Sequence, residues 1–75
     1  MTVNDNLIIF GENVRYIRRI KKLTKEQLAE MMKLSIEEIE LIEKGEPTDD
    51  TNIDSVFLLC KYLKIPISKI FEPFI

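Results

Sequence analysis

The sequence predicts an all-α domain built from five short helices. Apolar residues recur at helical spacings along most of the chain, and polar residues that favour helix starts precede several of these segments. Strand-like alternation of polar and apolar residues is hard to find. With 75 residues the chain corresponds to one small domain, and nearly every Leu, Ile, Val and Phe is needed in its core.

The first helix is predicted over about residues 11–22. Its inward stripe, with successive spacings of four, three and four residues, consists of Phe10, Val14, Ile17 and Lys21. The apolar run Leu7 to Phe10 leads into this helix, and we expect residues 1–9 to form an N-terminal apolar extension.

Two further helices are predicted over residues 25–32 and 36–44. Each begins with a hydroxyl residue followed three positions later by Gln or Glu, the spacing of a capping box. These pairs are Thr24 with Gln27 and Ser35 with Glu38. Gly45 is the expected left-handed terminator of the third helix, and the turn-forming residues 46–51 follow it.

A fourth helix is predicted between Asn52 and Lys64, and it is apolar almost all round. The positions that define it are Ile53, Val56, Phe57, Cys60 and Leu63. Pro66 ends it, residues 67–71 can form a short fifth helix, and residues 73–75 are expected to form a C-terminal apolar tail. The core predicted from all helices consists of Val14, Ile17, Leu28, Ala29, Ile39, Ile42, Val56, Cys60 and Leu63.

The composition argues against an enzyme. The chain has no His and one Cys, and its carboxylates lie mostly in polar, solvated runs, so we expect no catalytic residues, no metal site and no cofactor. A disulfide framework is excluded for the same reason. The apolar runs are too short for a membrane span or a signal peptide, which predicts a cytoplasmic protein without a membrane partner.

Charge is distributed unevenly along the chain. Residues 1–25 carry a net charge of +4, residues 26–54 carry −8 and the remainder carries +2. This distribution differs from that of a uniformly basic nucleic-acid binder.

The two capped helices 25–32 and 36–44, joined by a few residues, have the sequence form of a helix-turn-helix. A more specific pattern extends over residues 10–72. Its positions are Gly11, Val14, Ile17, Arg18, the run Thr24 to Glu30, Leu34-Ser35, Ile39, Ile42 to Gly45, Leu59-Cys60, Leu63, Ile65 and Phe71. In these positions the chain resembles the Cro/C1-type (XRE-like) helix-turn-helix repressor family. The resemblance implies a five-helix, lambda-repressor-like DNA-binding domain at residues 10–72.

The resemblance also implies functional positions. Thr24 and Lys25 fall where the family contacts phosphate, while Ile36, Glu37 and Leu41 fall where it contacts base edges. The family commonly has Gln at the position of Lys25 and polar or basic residues at the base-reading positions. It usually has Gly at the position of Lys33, so that the turn here requires either a left-handed lysine or a different path.

Helical geometry gives an independent view of the third helix. At 100° per residue, one arc opposite the core positions contains Ile36, Glu37, Glu40, Leu41 and Lys44. Carboxylates can accept from cytosine N4, and Leu or Ile can contact a thymine methyl group, so direct readout of DNA is conceivable. Phosphate contacts supply most of the affinity for DNA, however, and this arc is mostly acidic.

Several other residues complete the prediction. Arg15, Arg19 and Lys22 form a basic stripe on the first helix, interpreted equally well as a solvated face or as a phosphate contact. Arg18 and Glu43 occupy positions that form a structural ion pair in the family, and Cys60 is expected to be a small buried residue. The apolar residues Leu58, Tyr62, Phe71, Phe74 and Ile75 either cover one another or form a homodimer contact.

Two functions are therefore predicted from the sequence. The first is a sequence-specific, repressor-like transcription regulator that binds duplex DNA as a dimer, with weak non-specific binding and no small-molecule effector domain. The second is a helix-turn-helix module whose acidic and apolar third helix binds a basic protein partner instead of DNA.

Overall fold

The computed structural model describes residues 5–73, which form four α-helices and one 3-10 helix. They are α1 (Asp5–Ile20), α2 (Lys25–Met32), α3 (Ile36–Glu43), α4 (Ile53–Leu63) and the 3-10 helix (Ile67–Phe71). No strand occurs within residues 5–73. The predicted all-α class with a central helix-turn-helix is confirmed, and the fifth helix is of the 3-10 type.

The predicted start of the first helix is wrong, because α1 begins at Asp5 and not near residue 11. The helix extends backwards because its first turns have something to pack against. Phe10 is fully buried, and Ile8 lies against Gly45 beyond the end of α3. Residues 5–9, expected to be part of an apolar extension, are therefore helical.

The helix starts largely follow their predicted caps. Thr24 Oγ1 accepts from the Gln27 backbone N–H at 3.0 Å, and Gln27 Oε1 accepts from the Thr24 N–H at 2.8 Å, so the capping box of α2 is complete. Ser35 Oγ accepts from the Glu38 N–H at 3.1 Å at the start of α3. The Glu38 carboxylate makes its hydrogen bonds elsewhere, and this second capping box is only half formed.

All four α-helices end in the same hydrogen-bonded turn, with a residue in the left-handed conformation. These residues are Lys22 (φ 56°), Lys33 (φ 58°), Gly45 (φ 80°) and Lys64 (φ 62°). After α2, for example, the Lys33 N–H donates to Glu30 O and the Leu34 N–H donates to Ala29 O. The turn of the helix-turn-helix thus contains a left-handed lysine, which costs about 1–2 kcal/mol relative to an unstrained residue.

The core lies between all five helices and contains most of the predicted residues. Leu63 is only half-buried, and the residues fully buried beyond the predicted set are Phe10, Met32, Leu59 and Ile70. Two of the apolar positions that define α4 in the sequence lie outside the core, because Ile53 is 66% exposed and Phe57 is 56% exposed. Ser55 and Leu59 occupy the buried arc instead, since a helix that is apolar almost all round does not specify which arc faces the core.

Asn13 joins the last helix to the first. Its side chain is buried, and Nδ2 donates to Ile70 O at 2.7 Å and to Glu72 O at 2.8 Å. The ring centroids of Phe10 and Phe71 lie 5.3 Å apart, and the two ring planes are tilted by 35° relative to each other. The 3-10 helix is therefore held on α1 by hydrogen bonds as well as by apolar contact.

The backbones of α1 and α3 approach each other closely at Gly11. A Cβ atom at this position would overlap the Ile42 carbonyl oxygen and lie 3.2 Å from the Gly45 nitrogen. Neither neighbour is a flexible side chain, so a larger residue requires the helices to separate. Gly11 thus sets the distance at which α3 is held on α1.

We predict that Gly11→Ala destabilises the domain by about 2 kcal/mol or more. Alanine is favoured over glycine within a helix by roughly 0.5–1 kcal/mol, but overpacking of a rigid contact costs more, typically 1–3 kcal/mol and occasionally beyond. Urea denaturation would measure the difference. Glu12→Ala, at the next and exposed position, is the control and should change stability by less than about 0.5 kcal/mol. A Gly11→Ala variant as stable as the parent would contradict the close approach.

Candidate nucleic-acid interface

The outward face of α3 carries the residues that the helical geometry placed there. Ile39 and Ile42 are fully buried, whereas Glu37, Glu40 and Lys44 are exposed. Ile36 is 38% exposed at the first position of the helix, and Leu41 is half-buried one turn later. This face therefore combines hydrocarbon and carboxylate groups, with one cation beyond its C-terminal end.

A cleft between α1, α2 and α3 opens beside this face. It has a volume of about 360 Å³ and is lined by Arg15, Lys25, Glu40, Glu43 and Lys44. Three cations thus reach it from α1, from the first turn of α2 and from the end of α3. Convergence of cations on one surface is a feature that favours contact with phosphate, although Glu40 and Glu43 line the same cleft.

Glu40 occupies part of this cleft and pairs with Lys25. The distance between Lys25 Nζ and Glu40 Oε2 is 3.5 Å, and both side chains are substantially solvated. An exposed pair of this kind contributes little to stability, at most about 1 kcal/mol. Its consequence is electrostatic, because one carboxylate offsets one of the three cations. The sequence did not indicate this pair, since its members lie on different helices.

Lys25 follows Thr24 at the start of α2, and the two residues have different roles there. The Thr24 side chain and N–H are both used in the capping box, so this residue orients the first turn of α2. Lys25 extends into the cleft itself. The two predicted phosphate contacts are therefore adjacent, but only the lysine lines the cleft.

The basic stripe of α1 divides between two hollows. Arg15 lines the cleft and also a neighbouring hollow of about 300 Å³, to which Glu12, Tyr16 and Arg19 contribute. Lys22 is exposed in the left-handed turn after α1. Arg15 is thus the member of the stripe that the fold brings next to α3.

Arg18 and Glu43 form a bidentate ion pair between α1 and the end of α3. Arg18 Nε lies 2.7 Å from Glu43 Oε2, and Arg18 Nη2 lies 3.1 Å from Glu43 Oε1. The Arg18 side chain is 21% exposed and that of Glu43 is 8% exposed. The hydrogen bonds to Glu43 raise the pKa of Arg18, despite an opposing effect of burial. The planar guanidinium thereby fixes the orientation of α3 on α1.

Glu38 is a buried carboxylate that holds the loop following α3. It accepts hydrogen bonds from the Thr48 N–H at 2.8 Å, from Thr48 Oγ1 at 2.7 Å and from Thr51 Oγ1. Burial acts to raise the pKa of this carboxyl group, but the hydrogen bonds outweigh burial and hold the pKa below its usual value. The loop also carries exposed Glu46, Asp49 and Asp50, so it adds negative charge after α3.

The part of the chain that the structure describes gives little support for a metal site or a reactive thiol. Within residues 5–73, no group of three or more His, Cys, Asp or Glu could hold a metal ion. Cys60 is a buried free thiol, and burial raises its pKa, which disfavours the reactive thiolate. None of the described helices is long and apolar enough to cross a membrane.

A family model described as helix-turn-helix matches residues 14–70, which is most of the chain and includes all of α2, α3 and α4. No curated protein matches the chain.

We predict that Arg18→Ala costs about 3 kcal/mol or more of stability. The variant leaves the Glu43 carboxylate largely buried and without its partner, and an uncompensated buried charge is strongly destabilising. Chemical denaturation would measure the loss, with Arg19→Ala as an exposed control on the same helix. A loss below about 0.5 kcal/mol for Arg18→Ala would show that the pair behaves as a surface ion pair.

We predict that Glu38→Gln costs about 2 kcal/mol at neutral pH, because an amide cannot accept all three hydrogen bonds. The folded pKa of Glu38 is lowered, so its stabilising contribution is present above the unfolded pKa of about 4.3 and is lost as the pH falls through the folded pKa. The stability difference between parent and variant should therefore shrink below about pH 4.

Urea denaturation from pH 7 to pH 3 would measure this dependence. Glu37→Gln, at the neighbouring exposed position, should show no comparable loss at either end of the range. If the stability difference between the parent and Glu38→Gln stays constant down to pH 3, the charge of the Glu38 carboxylate is unimportant for holding the loop.

Proposed function

Because the chain belongs to the Cro/C1-type helix-turn-helix family, we propose that it is a repressor-like transcription regulator that binds specific duplex DNA sequences through α3. One observation carries this proposal. Arg15, Lys25 and Lys44 converge in the cleft beside an outward helix face whose side chains are not needed in the core.

The proposed complex has α3 in the major groove and α2 across the phosphate backbone. Lys25 and Lys44 contact phosphate from the cleft beside the inserted helix, and Thr24 orients the start of α2 for this contact. Ile36 and Glu37 meet base edges, since residues near the start of a recognition helix reach deepest into the groove, and Leu41 follows one turn later. Arg15, Arg19 and Lys22 extend the phosphate contacts along α1.

The acidic groups on α3 limit how strongly the protein binds DNA of arbitrary sequence. A carboxylate about 6 Å from a phosphate is repelled by roughly 0.7 kcal/mol in bulk water and about 2.8 kcal/mol at an effective dielectric constant near 20. Glu37 and Glu40 both contribute, and salt reduces the effect. Their combined repulsion is comparable to the gain from a few phosphate contacts, so weak non-specific binding is expected.

We predict that replacing Glu37 and Glu40 together by Gln tightens binding to random duplex DNA by tenfold or more at low salt. The double variant removes two negative charges from the proposed interface and frees Lys25 from its pair. Fluorescence anisotropy with a labelled random duplex would measure the change. The matched control is Asp54→Asn with Glu72→Gln, which removes the same charge from exposed positions in α4 and next to the 3-10 helix.

The competing proposal is that the same face binds a basic protein. The acidic sign of the face and the exposure of Ile36 favour it. If the Glu37 and Glu40 double substitution leaves the affinity for random DNA unchanged and abolishes binding to a protein partner, the DNA-binding proposal is wrong and the protein-binding one replaces it.

We also propose that the chain acts as a homodimer. Two-fold symmetry would present two copies of α3 about one DNA turn, roughly 34 Å, apart. Tyr62 is 48% exposed on α4 and Leu58 lies one turn before it, half-buried. Phe71 packs on Phe10 with one side of its ring, and we propose that the rest of its side chain takes part in the dimer contact. The other two residues predicted in this contact, Phe74 and Ile75, lie outside the described residues.

We predict that Tyr62→Glu converts the dimer to a monomer, because it places a charge in an apolar contact. Sedimentation equilibrium at high protein concentration would measure the state. Phe57→Glu is the matched control, since Phe57 is exposed to a similar extent, 56% against 48% for Tyr62, but lies on another arc of α4. If only Phe57→Glu dissociates the dimer, the contact lies on that other arc. A parent protein that sediments as a monomer would contradict the proposed dimer.

A further inference from the structure

The first turns of α3 present an unusual set of chemical groups for a helix that contacts base edges. Ile36 and Leu41 offer hydrocarbon only, and Glu37 offers a carboxylate that can accept hydrogen bonds but cannot donate one. Residues that bond in bidentate fashion to purines, namely Arg or Lys to guanine and Asn or Gln to adenine, are absent from Ile36–Glu43. Lys44 follows this segment and lies in the cleft assigned to phosphate.

The two carboxylates of this face differ in availability. Glu40 is directed towards Lys25, at 3.5 Å. Within residues 5–73, no ion pair or hydrogen bond occupies the Glu37 carboxylate. Glu37 is therefore the acceptor that an incoming base can use.

The exposed hydrocarbon of Ile36 lies in the same turn of α3 as that acceptor and on the same outward arc. Ile36 and Glu37 are the first two residues of α3, and the Ser35 cap holds the turn in place through its bond to the Glu38 N–H. Ile36 is 38% exposed, so a substantial part of its side chain is available to a ligand. A hydrocarbon group and a carboxylate on one outward arc match what pyrimidines present in the major groove, where thymine has a methyl group and cytosine has the N4 amino donor.

We infer that α3 selects pyrimidines, with Ile36 and Leu41 contacting thymine methyl groups and Glu37 accepting from cytosine N4. The inference rests on the proposed DNA binding and specifies its sequence preference. It has a further consequence, since 5-methylcytosine carries both the N4 donor and a methyl group at adjacent positions of the same edge. The face therefore binds a site containing 5-methylcytosine more tightly than the unmodified site.

The experiment has two stages and uses the full chain. A random duplex pool is first selected at low salt. The selected site is then resynthesised with uracil in place of each thymine and with 5-methylcytosine in place of each cytosine, and binding is measured by fluorescence anisotropy. We expect uracil to weaken binding about fourfold at one or more thymines, the effect of losing one buried methyl group, and 5-methylcytosine to strengthen binding by a similar factor at one or more cytosines.

Two variants assign these effects to residues. Ile36→Ala should bring the ratio of thymine to uracil affinities close to one, while Ile53→Ala, which truncates an exposed isoleucine on α4, should leave the ratio unchanged. Glu37→Gln should shift the preference at one position from cytosine to adenine, because Gln bonds to adenine N6 and N7. Circular dichroism would verify that each variant is folded.

The outcomes separate this inference from the function on which it rests. A selected site that is insensitive to both base replacements, or whose sensitivity survives Ile36→Ala and Glu37→Gln, overturns the pyrimidine preference and leaves DNA binding intact. Failure to enrich any duplex overturns both.

Discussion

The close contact between α1 and the C-terminal end of α3 is the constraint on which the rest of the structure depends. Gly11 lets the two backbones approach at Ile42, and the bidentate Arg18–Glu43 pair then fixes the rotation of α3. With α3 held in this way, its buried isoleucines face the core and its opposite arc faces outward. The cleft beside α3 is a result of the same contact, since Arg15 and Glu43 approach it from these two helices.

Helix ends in this protein are determined by backbone hydrogen bonds more than by residue type. Three of the four left-handed positions are lysines, and each is followed by an apolar residue, Leu23, Leu34 or Ile65, that packs against the core. The paired hydrogen bonds and this apolar contact offset the conformational cost of a left-handed lysine. The helix-turn-helix therefore retains its turn although no glycine is present in it.

The geometry and the charge of the candidate interface favour different partners. The position of α3 and the convergence of three cations fit a phosphate backbone, whereas Glu37, Glu40 and the acidic loop held by Glu38 oppose it. Repulsion from these carboxylates acts on every DNA sequence, while a hydrogen bond to Glu37 or a methyl contact to Ile36 acts only where the right base is present. In the proposed complex, such a face would bind DNA of arbitrary sequence weakly, and its affinity would depend on the bases that it meets.

The sequence by itself determined the all-α class, the bounds of α2 and α3 to within about one residue, the capping box at Thr24 and the division of α3 into a buried and an outward arc. These features depend on residues within one or two turns of each other, which helical periodicity and capping chemistry describe well. Only the tertiary structure decided where α1 begins, which arc of α4 is buried, that Glu38 bonds to Thr48 and Thr51, and that Glu40 pairs with Lys25. Each of those depends on a contact between segments distant in sequence, where several partners are chemically equivalent and packing selects among them.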